Sequence, residues 1–260
     1  MNALRDLYAA SKPAIGTFFS AGSPSMLEAL RGSGLDFVII DCEHGAFDTM
    51  DMVDLIRAAE LADIVPAVRI ASVSHQEVQR AADSGAQVLI VPCLRGVDEF
   101  KKLVDLATYP PLGSRGFIKG RGSQFGRAPW AQADSLEGYF ARATERLMVM
   151  PQCETAEALD SIEEIVALDG IDGIFIGPFD LSIALGVPGR FDAPVMQEAT
   201  SRILAACREV NKPCYILSMD VHGATSLLSS GYAGVAHNLD FNVLRDAYEA
   251  ITSGIRNGLA

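Results

Sequence analysis

Apolar and polar positions fall in blocks along this chain. Short apolar runs alternate with longer stretches whose apolar positions recur at helical spacing. The runs are Ile15–Ser20 (IGTFFS), Phe37–Asp41 (FVIID), Val65–Ile70 (VPAVRI) and Val88–Cys93 (VLIVPC), followed by Leu147–Gln152 (LMVMPQ), Gly173–Gly177 (GIFIG), Cys214–Met219 (CYILSM) and Gly234–His237 (GVAH). They are rich in β-branched or aromatic residues and do not alternate with polar ones. This is the signature of strands buried on both faces, as in a parallel sheet.

The stretches between them predict helices. Ser25–Ser33 opens with a serine and carries Glu28 three residues on, a capping-box spacing. Thr49–Leu61, Ser74–Ser84, Thr155–Leu168, Pro194–Val210 and Val221–Ser230 continue the rhythm. Gly34, Gly85 and Gly231 each stand where a helix ends and a strand follows. Eight strand–helix units in 260 residues predict an α/β fold, a (β/α)8 TIM barrel forming one domain over residues 1–260. Thr108–Arg146, with its Gly- and Arg-rich segment Gly113–Arg127, is too long for an ordinary connection. It is expected to be an excursion over the catalytic face.

Composition narrows the class. A chain that is 49% hydrophobic and 21% charged buries a core and is not disordered as a whole. A net charge of −12 repels phosphate backbones and excludes nucleic acid as a natural partner. No apolar stretch is long enough to span a membrane, and the N-terminus lacks an apolar signal core. Five cysteines with no C-x-x-C pair read as reduced thiols, and so as a cytoplasmic protein.

In such a barrel, chemistry gathers at the C-terminal ends of the strands. Those ends carry Asp41, Glu43 and His44, then Arg69, then Gln152 and Glu154, then Phe179 and Asp180. Glu154 and Asp180 offer hard oxygen donors for Mg²⁺ or Mn²⁺ and leave positions open for a chelating 2-oxo acid and water. Each also stands where a helix begins, and acidic residues are common there. Asp41 could accept from the His44 ring and fix its tautomer. Arg69 ends an apolar strand and needs an acceptor, either a substrate oxygen or a structural partner, Asp41 or Glu43. Gln152 binds a substrate oxygen or ties strands together. The turn Gly177–Asp180 presents N–H groups from Phe179 onward to a carboxylate. His237 stands at the eighth strand end and is a candidate lining residue, whereas His75 and His222 read as surface or capping groups. Cys42, Cys93 and Cys153 read as packing thiols. No lysine ends an apolar strand, which argues against a Schiff base, and Gly113–Gly126 matches neither a dinucleotide nor a P-loop motif.

Taken in order, FVIIDCEHGAFD, VPAVRI, GAQVLIVP, YPPLGSRG, QCET and GIDGIFIGPFDLS resemble the HpcH/HpaI family of class II pyruvate aldolases. The resemblance implies a barrel of the phosphoenolpyruvate/pyruvate type and a divalent metal, Mg²⁺, Mn²⁺ or Co²⁺. It implies reversible aldol cleavage of 4-hydroxy-2-oxo acids to pyruvate and an aldehyde. By the same resemblance Glu154 and Asp180 hold the metal, Asp41 and His44 form a proton-moving dyad, and Arg69 and Gln152 bind the substrate. Phe179 contributes its backbone to the carboxylate, and Asp83 reaches a neighbouring subunit's site. The family also implies a homo-oligomeric ring, a trimer of dimers and so a hexamer. Cys42, Cys153, His237–Asn238 and Gly113–Arg127 depart from its usual pattern. Two other readings fit the same strands: an acyl-CoA lyase of the citrate-lyase-β type, and a barrel used only for binding or assembly.

Overall fold

The computed structural model describes residues 2–259. Among these residues nine strands are present: β1 (Ala14–Phe19), β2 (Phe37–Asp41), β3 (Val65–Arg69), β4 (Val88–Ile90), β5 (Met148–Val149), β6 (Gln152–Cys153), β7 (Ile174–Ile176), β8 (Cys214–Ser218) and β9 (Gly234–Leu239). All pair in parallel, in the order β5-β4-β3-β2-β1-β9-β8-β7-β6. The two ends of this order are halves of one predicted run, Leu147–Gln152, parted at Pro151, which has no N–H to donate. Bonds from Gln152 N–H to Val91 O (2.8 Å) and from Phe175 N–H to Pro151 O (3.0 Å) flank the break and close the ring. The result is the expected α/β TIM-barrel-like fold.

The period-two geometry of strands sorts side chains into two cores. Phe37, Ile39, Val65, Ala67, Val88, Ile90, Met148, Met150 and Phe175 fill the barrel interior. Val38, Ile40, Val68, Leu89, Val149, Ile174 and Ile176 face the surrounding helices. The sequence pattern does not predict the first helix, Ala3–Ala9. Its Leu4 packs into the interior core, and the preceding Asn2 amide donates to Gln87 O and Arg146 O at 2.7 and 2.9 Å. The helix thereby covers the N-terminal mouth of the barrel.

Three expectations are corrected. The first predicted helix runs Pro24–Ala29 and is capped by Ser23, whose Oγ accepts from Met26 N–H, so Glu28 completes no capping box. Thr155–Leu168 is two helices, Ala156–Asp160 and Ile162–Ala167, meeting at Ser161. The excursion after Thr108 does not cover the catalytic face. It holds the helix Leu136–Arg146 and packs its own aromatic cluster, Tyr109, Phe117, Tyr139 and Phe140. Its arginines find acceptors elsewhere: Arg121 reaches Ser84 O and Glu60, at the C-terminal ends of Thr49–Leu61 and His75–Ser84, and Arg115 pairs with Asp83. Charge pairing thus draws Gly113–Arg127 towards helix ends that lie before the strands.

Candidate active site

Continuing the inward parity of each strand beyond the apolar layers gives the site. After Phe37 and Ile39 comes Asp41; after Val65 and Ala67 comes Arg69; after Met148 and Met150 come Gln152 and Glu154. These four lie at the C-terminal end of the barrel and are all buried. The next inward layer is therefore polar, and buried polar groups need partners.

Asp41 and Arg69 supply each other's. Arg69 Nε and Nη2 donate to Asp41 Oδ1 and Oδ2 at 2.8 and 2.7 Å, a bidentate fork. Its Nη1 is 3.2 Å from Glu43 Oε2 and 3.5 Å from Gln152 Oε1. The Ser20 hydroxyl and the Glu43 and His44 N–H groups also donate to Asp41, at 3.1, 3.2 and 3.3 Å. Burial pushes the Asp41 carboxyl up, but the Arg69 bonds and charge and these N–H groups outweigh it and hold it below its ordinary 3.8.

The expected bond from the His44 ring to Asp41 is not formed: Arg69, Ser20 and two backbone N–H groups fill the carboxylate, and the ring turns out toward Glu43. His44 meets Asp41 through its backbone, and its exposed ring stands 3.9 Å from Glu43 Oε1. Glu43, weighed from sequence only as a partner for Arg69, thus stands between the guanidinium and the imidazole. Burial raises its pKa, with Asp41 and Asp180 adding, against Arg69 and His44.

Glu154 is fixed at both oxygens: Cys93 N–H donates to Oε1 and Gln152 Nε2 to Oε2, each at 2.6 Å. Burial pushes its pKa up despite the Cys93 N–H, and repulsion from Asp180 and Glu43 adds to the rise. Asp180 lies in the first turn of the helix Pro178–Ala184, directly after Phe179. Gly177 precedes them because nothing larger fits: a Cβ there would collide with Glu154 Oε2 and lie 2.9 Å from Gln152 Nε2.

Arg69, Gln152, Gly177, Phe179, Asp180 and His44 border one cavity of about 280 Å³. Its other walls are apolar, Phe18, Phe175, Leu217, Met219 and Leu239. Two candidates lie elsewhere. Asp83 is 2.7 Å from Arg115 on the outer side of the barrel and does not line the cavity. His237 faces outward, sharing the parity of Val235, and lines an apolar groove between the barrel and the last helix. Burial pushes the Cys42 and Cys153 thiols up to about 12 and Cys93 to about 11, so none is a thiolate at neutral pH.

The donor set suits a hard cation. Asp180 raises the proton affinity of both Glu43 and Glu154, Glu43 adds to the rise at Glu154, and the cation beside them, Arg69, is already committed to Asp41. Among the described residues no three His, Cys, Asp or Glu side chains converge as metal ligands. A bound ion would therefore take two protein carboxylates and fill its shell with water and substrate oxygens, the habit of Mg²⁺ and its like.

Ser20 and Asp240 went unnoticed in the sequence. Asp240 accepts from the Ser20, Ala21 and Gly22 N–H groups at 3.0, 3.1 and 2.7 Å, setting the loop from which Ser20 reaches Asp41. A carboxylate just past the last strand was the available signal.

Comparison with known proteins agrees along the whole chain. Residues 14–247 match the family HpcH/HpaI aldolase/citrate lyase. A Shigella flexneri protein named 4-hydroxy-2-oxo-heptane-1,7-dioate aldolase is 31% identical, the match covering 98% of this chain and 94% of that one. The crystal structure of an HpcH/HpaI aldolase/citrate lyase family protein from Burkholderia cenocepacia J2315 superposes with a TM-score of 0.90 at 30% identity, covering 98% of this chain and all of the other. That of an HpcH/HpaI aldolase from Desulfitobacterium hafniense DCB-2 gives 0.88 at 26%, covering 97% and 96%.

Proposed function

The chain belongs to the HpcH/HpaI aldolase/citrate lyase family and is a carbon–carbon lyase, and from this premise we propose how its residues carry out the reaction. The substrate is a 4-hydroxy-2-oxo acid, cleaved reversibly to pyruvate and an aldehyde. The observation that carries the proposal is the buried polar layer of Asp41, Arg69, Gln152 and Glu154, from which Arg69 and Gln152 join Asp180 and His44 in lining one cavity.

Glu154 and Asp180 hold a divalent cation, Mg²⁺, Mn²⁺ or Co²⁺, which when bound supplies Lewis-acid stabilisation of the enolate charge. Gln152 orients Glu154 and borders the cavity beside the substrate oxygens. Asp41 locks the guanidinium of Arg69 through Nε and Nη2, leaving Nη1 toward the cavity. That N–H meets the 2-oxo oxygen, where negative charge grows as the bond breaks. Phe179 and Asp180 lie in a first helical turn, whose N–H groups lack helical acceptors and receive the substrate carboxylate. His44 takes the C4 hydroxyl proton. The O–H electron pair becomes the aldehyde C=O, the C3–C4 bond breaks, and its electrons pass to C3 and the 2-oxo oxygen. Return of a proton to C3 gives pyruvate.

The active form is a homo-oligomer acting in the cytoplasm. The helix Asp240–Asn257 buries none of its residues and exposes Phe241, Val243, Leu244, Tyr248, Ile251 and Ile255 beside an apolar groove of about 540 Å³. Such a stripe on an 18-residue helix fits a second copy of the chain better than water. Asp83, remote from its own cavity, fits a role toward a neighbouring subunit's. The five free cysteines suit a reducing compartment, and among the described residues no helix is long and apolar enough to cross a membrane.

The test is an aldehyde panel with pyruvate and Mn²⁺, with and without EDTA. Metal-dependent C–C bond formation is expected. Turnover unaffected by EDTA, or none with any aldehyde, would overturn the reading. Light scattering tests the assembly, with a hexamer expected and a monomer at working concentration counting against it.

A further inference from the structure

Cys93, immediately after Pro92, holds a backbone conformation that its side chain disfavours. Its φ is +59°, in the left-handed region where a Cβ crowds the next carbonyl and which glycine, asparagine or aspartate adopts more readily. The thiol gives little reason for a cysteine in that place. It is exposed, and its Sγ lies 3.9 Å from Glu43 Oε1 and beside Glu154, where partial desolvation and the charge of both carboxylates keep it protonated.

The backbone gives a better reason. In this conformation the Cys93 N–H donates to Glu154 Oε1 at 2.6 Å, from the end of one strand run to the end of the next. The two loops are fastened again just beyond that bond: Thr155 Oγ1 donates to Leu94 O at 2.7 Å, and Arg95 pairs with Glu157 at 3.1 Å. With Gln152 Nε2 on Oε2, the direction of the Glu154 carboxylate rests on two donors. One of them is aimed by the turn at Cys93.

We propose that Cys93 is a positioning residue whose left-handed backbone, and not its thiol, sets Glu154 for metal binding. This rests on Glu154 being a ligand, as argued above. Tolerance of the left-handed conformation should therefore rank the variants at this position. Glycine and asparagine tolerate it and valine, branched at Cβ, does not.

The test is Mn²⁺ titration by calorimetry on Cys93→Gly, Cys93→Asn, Cys93→Ala and Cys93→Val, with thermal melts to confirm folding. Gly and Asn should keep the parent's affinity within about twofold, the scale of a surface substitution. Val should weaken it on the order of tenfold or more, the worth of a hydrogen bond to a charged group. If Val does not fold, Ala against Gly carries the comparison, with Ala the weaker. Equal affinity across the series would overturn the proposal and leave Glu154 as a ligand. So would a loss in Gly as large as in Val, which would assign the role to the thiol. Absence of Mn²⁺ binding by the parent protein would overturn both this proposal and the ligand assignment.

Discussion

Asp41 and Arg69 are register partners across β2 and β3, and their side chains close a two-bond fork at 2.8 and 2.7 Å in the top layer of the barrel. The sequence left Arg69 with a choice between a substrate oxygen and a structural carboxylate. The fork supplies the carboxylate and has room for a substrate oxygen as well, because a guanidinium has five N–H donors and Asp41 takes two of them. The carboxylate holds the plane, and the remaining edge faces Gln152, Glu43 and the cavity.

Arg69→Lys should therefore separate binding from turnover. Lysine keeps the charge but cannot bond Asp41 twice and still present an N–H to the substrate. A fall in kcat of about 10²–10³-fold is expected, the usual loss for one oxyanion donor, with Mn²⁺ affinity held. Near-normal turnover in steady-state kinetics would make Arg69 a structural residue.

The same fork predicts a pH dependence of stability. Asp41 has a folded-state pKa below its ordinary 3.8, so between the two values the unfolded chain binds more protons than the folded one. The stability this provides is full above pH 3.8 and is lost as the pH falls through the folded pKa. Asp41→Asn takes the two-bond counter-charge from buried Arg69 and leaves it only the single contact with Glu43, at a cost approaching about 3–5 kcal/mol near neutral pH. Urea melts of both proteins from pH 7 downward should show the gap narrowing below pH 4; a constant gap would contradict the pairing.

Gly177→Ala should damage the metal site while sparing the fold. Its Cβ would overlap Glu154 Oε2 and crowd Gln152 Nε2, so the carboxylate must leave its two donors. Mn²⁺ affinity should fall on the order of tenfold or more, as for loss of a hydrogen bond to a charged group. Unaltered calorimetry would mean that Glu154 is free to shift, and that the glycine serves only the turn.

Asp240 ties the last helix to this centre. Its carboxylate gathers three N–H groups of residues 20–22, and Ser20 in turn bonds Asp41. Asp240→Ala should lower kcat more than it raises KM, since the lost contact sets the fork and not the substrate. Asp240→Asn, which keeps one acceptor oxygen, should recover part of the loss. A change confined to melting temperature would reduce Asp240 to a loop cap.

What the sequence revealed of this site follows from where its apolar runs end, and the structure adds strand parity as the reason. Asp41, Arg69, Gln152 and Glu154 stand two or four residues beyond inward-facing apolar positions, so period two alone places them on one layer. His237 defeats the same reasoning. It closes a run too short to show which of its residues face inward, and it faces outward with Val235. Gly113–Arg127 was legible as unusual but not as to location, because that depends on where Glu60, Ser84 and Asp83 lie in space. The Asp41–His44 pairing failed because spacing of three residues cannot tell a ring from a backbone N–H.

His44 remains the candidate base, and its exposed ring beside Glu43 makes a differential prediction. His44→Ala should damage aldol cleavage more than oxaloacetate decarboxylation. Both reactions generate the pyruvate enolate and so share the need for Glu154, Asp180 and Arg69. Aldol cleavage must also remove a C4 hydroxyl proton, whose pKa in water lies far above 7. Decarboxylation releases CO₂ and asks for no such acceptor before its bond breaks. Removing a general base costs on the order of 10²–10⁴-fold, so the two activities should part clearly when measured at matched Mn²⁺ saturation. Glu43→Gln should bias them the same way but less, since Glu43 lies 3.9 Å from the ring and orients it without touching the proton. Equal losses in both reactions for His44→Ala would remove it from the proton path and leave Glu43, between the ring and Arg69, as the group to test next.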